Sequence, residues 1–100
     1  MITVAGRIQI KPEKHEEAKA VFIKMAQATQ PEAGCLQYHF YTDLENPNTF
    51  HVFEEWNSQE ELEAHFQTPH MAELKAALPE ILAAEPAIMR YVVSEVTRLM

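Results

Sequence analysis

Two aromatic-rich runs, Cys35–Thr42 and Thr49–Trp56, flank the segment Asp43-Leu44-Glu45-Asn46-Pro47-Asn48, and this arrangement constrains the fold more than any other feature. The intervening residues are turn formers, so the runs are predicted to be two strands of a hairpin centred near Glu45 and Asn46. That register sets Leu36, Tyr38 and Phe40 on one face with Phe50, Val52, Glu54 and Trp56. The other face takes Gln37, His39 and Tyr41 with His51, Phe53 and Glu55. Large rings fall on both faces. A sheet wet on one side does not need that, so both sides are expected to be covered.

The rest of the chain supplies one cover and leaves one open. In residues 2–10, Ile2, Val4, Ile8 and Ile10 recur at period two, a strand with one buried face. Gly6 interrupts that stripe, as a bulge or a close backbone approach would require. Lys11-Pro12-Glu13 opens a helix that buries Ala18, Val21, Phe22, Met25 and Thr29 and stops at Pro31. Ser58 and Glu61 form a capping-box pattern for a helix through Leu62, His65 and Phe66. Thr68-Pro69 starts another, with Met71, Leu74 and Leu78 inward, and Pro79 and Pro86 are expected to break the remainder of that stretch. Ala87–Arg98 is β-branched and predicted as the last strand. The order β-α-β-β-α-β predicts one α+β domain over residues 1–100, a ferredoxin-like antiparallel sheet with its helices on one face. The uncovered face is expected to meet a second copy, giving a homodimer.

Charge and cysteine content narrow the partners. The net charge is −7, with eight Lys and Arg spread among fifteen acids, so no basic stripe is available for nucleic acid or an anionic membrane. No apolar stretch is long enough to span a bilayer. The single cysteine, Cys35, excludes an internal disulfide and a Cys-based zinc site. The amino terminus runs straight into strand-like alternation, without the pattern of a secretion signal, and a reducing cytoplasm is the expected location.

Several motifs stand in an order that resembles one family. Glu54-Glu55-Trp56, Leu62-Glu63-Ala64-His65-Phe66 and Thr68-Pro69-His70-Met71 read as E-x-W, LEAHF and TPHM. Upstream, Glu32-Ala33-Gly34-Cys35-Leu36-Gln37-Tyr38 gives E-x-G-C-x-x-Y, and Ile10-Lys11-Pro12 forms a strand-to-helix corner. Together they resemble the antibiotic biosynthesis monooxygenase family across essentially the whole chain. The resemblance implies a dimeric α+β barrel and a pocket between sheet and helices. It also implies kinship with cofactor-free quinol monooxygenases and with the enzyme acting on a phosphorylated quorum-sensing autoinducer. Related small barrels that degrade haem use a first-strand asparagine and a tryptophan and histidine on the second helix. This chain has no first-strand asparagine, and His65 and Lys75 occupy the approximate positions of the other two.

The candidate residues each admit two readings. His65, one turn from Leu62, is either a packed, half-buried histidine or a general base with a reference pKa suited to deprotonating a quinol. His70 at a helix start is either an exposed first-turn residue or a neutral imidazole that polarises substrate. Five residues and a break separate the two histidines, which is not the spacing of a helical metal pair. Glu54, among apolar neighbours, either orients a histidine or pairs with Arg90 or Lys75. Tyr38 is a core tyrosine or a donor to substrate oxygen, and Trp56 a packing anchor or a stacking wall. Phe40, Val52 and Phe66, with Val4 and Phe22, would wall the substrate pocket. His39, His51 and Glu55 could bind a metal but are equally explained as interface residues. His15 is expected in solvent, and Cys35 as a small buried side chain rather than a nucleophile.

The expectation from residues and resemblance together is a monooxygenase needing no metal, flavin or other cofactor. Its substrates would be dioxygen and a small quinol, polyphenol or similar enolisable compound, with His65, His70 and Glu54 catalytic. The alternatives are an isomerase of a small hydroxy-ketone and a non-catalytic dimeric stress or ligand-binding protein. An open cavity reaching His65 and His70 would favour an enzyme, and a pocket closed by ring side chains would favour binding.

Overall fold

The computed structural model describes residues 1–100. Strand β1 (Ile2–Gln9) leads through a 3-10 turn, Pro12–Lys14, into α1 (His15–Thr29). Next come β2 (Cys35–Thr42), β3 (Thr49–Trp56), α2 (Gln59–Phe66), α3 (Pro69–Ile81) and β4 (Ala87–Val92). The sheet is antiparallel throughout, in the order β2-β3-β1-β4, which is the ferredoxin-like arrangement expected from the order of elements.

The core forms where the sheet's apolar stripe meets the helices. Ile2, Val4, Ile8, Tyr38, Phe50, Val52 and Trp56 from the strands bury with Ala18, Phe22, Met25, Leu62 and Ile81 from the helices. Phe22 stacks on Phe40 at 4.4 Å and meets Phe50 edge-on at 5.2 Å, so one helical ring fixes the seat of α1. The reverse face of the sheet has no helix over it. Tyr41, Met89 and Tyr91 are exposed there, and Phe53 is half-buried.

The hairpin pairs as expected, with Tyr38 opposite Glu54 and Phe40 opposite Val52. One residue departs from it. A bulge between Cys35 and Gln37 turns Leu36 out to 55% exposure, and Cys35 takes its place against the core.

Gly6 is the close approach that its sequence position suggested. A Cβ there would overlap the carbonyl oxygen of Ala87 and the Cα of Ile88, so β4 can lie against β1 only because residue 6 has no side chain.

Two other expectations are corrected. Pro79 does not break α3, which continues to Ile81. The proline sits in the last turn, where only one helical bond is forfeited. Ile81 is 1% exposed and its carbonyl accepts from Lys11 N at 2.9 Å, so burial and a bond to the β1 side hold the turn in place. The last strand ends at Val92 rather than Arg98, because β1 runs out. Val93 N donates to Met1 O at 2.9 Å, and no further rung is available.

Candidate functional site

The site begins in the turn between α1 and β2. Thr29 closes α1 by donating its hydroxyl to Met25 O, and Glu32 N donates back to Thr29 O at 2.9 Å. Gly34 then takes φ +79°, which side-chain-bearing residues rarely adopt, and its carbonyl accepts from Asn57 N at 2.8 Å. The turn is thereby tied to the end of β3, with Glu32 pointing at the helical layer.

The break between α2 and α3 brings two histidines to that carboxylate. Ser58 caps α2 by accepting from Glu61 N at 3.3 Å, as the capping box predicts. Thr68 accepts from Met71 N to cap α3 and donates to His65 O at 2.7 Å. Across this corner, His65 Nδ1 lies 2.8 Å and His70 Nε2 2.6 Å from the same oxygen, Glu32 Oε2. The side chain of His65 is 2% exposed, that of Glu32 15% and that of His70 20%.

His65 is held on its other sides by rings, with Trp56 at 4.9 Å and Tyr38 at 5.6 Å between centroids. It opens on a cavity of about 220 Å³ between sheet and helices. Val4, Phe22, Phe40, Val52, Phe66 and Leu74 give this cavity apolar walls, and its polar groups are Tyr38, Glu54, His65 and Arg90. Every wholly buried side-chain nitrogen or oxygen has a hydrogen-bond partner in the protein. His65 Nε2, the Tyr38 hydroxyl and Glu54 Oε2 have none, so each keeps some reachable surface, and all three residues line the cavity.

Glu54 does not orient a histidine, nor does it pair with Arg90 or Lys75. Its Oε1 accepts from Trp56 Nε1 at 2.9 Å, while Arg90 donates to Gln59 at 2.6 Å. The histidine partner is Glu32, on which both imidazoles converge. Trp56 is fully buried and absent from the cavity lining, so it positions Glu54 and packs on His65. His70 reaches the cavity only through Glu32 and His65, and its own exposed side borders a separate surface depression with Lys24 and Glu73. Phe40, Val52 and Phe66 line the cavity as walls, Phe66 at 43% exposure on its rim.

Electrostatics divides the roles. Burial lowers the pKa of His65, and the hydrogen bond and charge of Glu32 oppose that without cancelling it. Burial pushes Glu54 up to about 7, against the Trp56 hydrogen bond and helped by the charge of Glu32. Burial, followed by the charges of Glu54 and Glu32, raises Tyr38 far above its ordinary value, so it stays a neutral hydrogen-bond donor. The Cys35 thiol is raised to about 11 by burial and the same two carboxylates, which leaves it protonated and a poor nucleophile.

The alternative metal cluster on the open face does not assemble. His51 pairs with Asp43 at 3.1 Å, and Glu55 accepts from Gln37. A larger hollow, about 610 Å³, lies along α1 and β2 beside His15 and Tyr41, and it holds none of the acid-base groups above. His15 itself is tied to Asn48 at 3.2 Å rather than free in solvent.

Glu32 is the residue that sequence reasoning passed over. It stood inside the E-x-G-C-x-x-Y element, but in a turn 33 residues from His65, where no periodicity reports a partner. The available signal was an acid lodged between a helix-ending proline and a turn glycine.

Comparison with known proteins agrees with this architecture. No helix is long and apolar enough to cross a membrane. A protein of Synechocystis without assigned function is 38% identical over 98 residues, 98% of this chain and 67% of the relative. The probable quinol monooxygenase YgiN of Escherichia coli is 32% identical over 81 residues, covering 71% of this chain and 78% of its own. The crystal structure of a conserved protein from Methanosarcina mazei superposes with a TM-score of 0.85 at 34% identity, over 90% of this chain and 89% of that one. The model of the antibiotic biosynthesis monooxygenase family matches residues 1–77, and with the ferredoxin-like sheet, the E-x-W strand and the paired histidines in place, the chain belongs to that family.

Proposed function

We propose that the chain is a cofactor-independent monooxygenase that oxidises a small quinol or related polyphenol with dioxygen. One observation carries the reading: His65 is braced at Nδ1 by Glu32, while its Nε2 is unengaged and its ring lines an apolar cavity. That is the geometry of a positioned general base. Nε2 takes a phenolic proton, Glu32 stabilises the imidazolium, and His70 holds Glu32 in place. Tyr38 donates to the developing phenolate oxygen.

The electron-rich anion then reduces dioxygen, and the two combine at a ring carbon as a hydroperoxide. Loss of water leaves a new carbonyl. One oxygen atom enters the ring and the other leaves as water, so a hydroquinone and dioxygen become a hydroxyquinone and water. All four electrons come from the quinol. The apolar walls keep bulk water from the anion, and a cavity near 220 Å³ suits one or two fused rings.

The working unit under this reading is a homodimer in the cytoplasm. The support is the bare sheet face with Tyr41, Phe53, Met89 and Tyr91, and the exposure of all six β4 residues. Oxygen uptake with a panel of one- and two-ring hydroquinones, compared with His65→Ala, tests the activity. Uptake no faster than autoxidation across the panel would falsify it.

A further inference from the structure

We propose that Glu32, His65 and His70 form a binding site for a divalent transition-metal ion, zinc being the best match, and that its occupation switches off the base at His65. The two halves stand on different ground. Binding rests on the geometry of three side chains, and the switch rests additionally on the reading of His65 as the base.

The donor set is two imidazole nitrogens and one carboxylate oxygen, within 4.8 Å of one another. Zinc holds such nitrogen and oxygen ligands at about 2.0–2.2 Å in a tetrahedron, which separates neighbouring donors by about 3.3 Å. The separations to Glu32 Oε2, 2.8 and 2.6 Å, need to open by about half an ångström, and the two imidazole nitrogens, within 4.8 Å of each other, need to settle at the same spacing by side-chain rotation. Imidazole donors select zinc, copper, nickel or cobalt over magnesium and calcium, which prefer all-oxygen sites. Three protein ligands leave a position for water. Glu32 and His70 are partly exposed, so an ion can enter without unfolding the core.

The consequence for His65 depends on which nitrogen would bind. The ion takes Nδ1, so the single proton of the neutral ring moves to Nε2, the unengaged nitrogen of a ring that lines the cavity. An Nε2–H cannot accept a proton from substrate. The ion sits at the Nδ1 edge of the ring with Glu32 and His70, neither of which lines the cavity. Such an ion is an inhibitor of the proposed chemistry, not its centre.

Isothermal titration of chelator-stripped full-length protein with zinc reads the first half directly. About one ion per chain is expected, with affinity weakened at least about tenfold in both Glu32→Gln and His70→Ala. Two ligand variants are used so that misfolding of one does not remove the comparison. His51→Ala, which alters the only other histidine–carboxylate pair, should bind as the wild type does. No saturable binding, or undiminished binding in the folded ligand variants, overturns the site. For the second half, saturating zinc should reduce oxygen uptake on a turned-over hydroquinone to the His65→Ala level, and chelation should restore it. Zinc bound with turnover unchanged overturns the switch alone. If no hydroquinone is turned over, the base reading fails and the switch with it, while the titration still decides the site.

Discussion

Glu32 Oε2 stands 2.8 Å from His65 Nδ1, joining a turn after the first helix to the last turn of the second. A carboxylate in that position fixes the tautomer that leaves Nε2 free and stabilises the ring once it is protonated. Removing the base and removing its brace should therefore damage the same step.

On a true substrate, His65→Ala should lower turnover by about 10²–10⁴ with the fold retained. Glu32→Gln should produce a loss in the same range, because the amide supplies neither the charge nor a fixed tautomer. His70→Ala should cost less, since His70 acts only through Glu32. Steady-state oxygen uptake, with circular dichroism to verify folding, measures all three. Full activity in His65→Ala would remove His65 from the mechanism.

The pH profile should separate two buried groups. The pKa of His65 is lowered, so the acid limb of kcat/KM should fall below the ordinary histidine value of about 6.5. Glu54 adds an inflection near 7 if its protonation affects substrate binding, and Glu54→Gln should abolish that inflection while leaving the acid limb. A profile unchanged in Glu54→Gln dissociates Glu54 from turnover.

Glu54 also makes a stability prediction. Its folded pKa is raised from 4.5 to about 7, so between those values the folded state binds more protons than the unfolded chain. The Glu54 contribution to stability should fall as pH rises through that window, by at most about 3 kcal/mol, and level off above it. Glu54→Gln keeps an acceptor for Trp56 and should remove this contribution, leaving the opposite slope that the lowered pKa of His65 gives below the ordinary histidine value. Urea melts at pH 5 and pH 8 for both proteins measure the difference.

Gly6→Ala should destabilise by about 1–3 kcal/mol or more, because the added methyl meets the β4 backbone rather than a movable side chain. Thermal unfolding reads the loss. A melting temperature equal to the wild type would mean that β4 does not need the approach seen at Gly6.

Sedimentation at micromolar concentration should find a dimer, and Phe53→Glu should shift it toward monomer by putting charge in the centre of the bare sheet face. A monomeric wild type would count against the sheet-face pairing.

Regular periodicity made much of this fold legible. The β1 stripe, the α1 face, the hairpin register and the Ser58 cap all arise from local spacing that each element enforces on itself. The departures arise where a distant partner decides. Leu36 turns outward because a bulge inserts one residue, and β4 stops where β1 has no more backbone to offer. Pro79 stays helical because Ile81 is buried on the far side of it. In the site, the ring and apolar walls were readable as the inner faces of strands and helices. The partner of the histidines was not, since Glu32 comes from a turn and meets them only after the layers have packed.

The corner at Gln67 and Thr68 looks, by exposure, like a place where residues could be added or lost freely. Its length is nonetheless set by the histidines on either side. One extra residue would lengthen the link between His65 and the start of α3, so that Thr68 could no longer bond both His65 and Met71 and His70 would lose its place beside Glu32. Among homologous chains, the span from the first histidine to the second should tolerate changes of identity far better than changes of number.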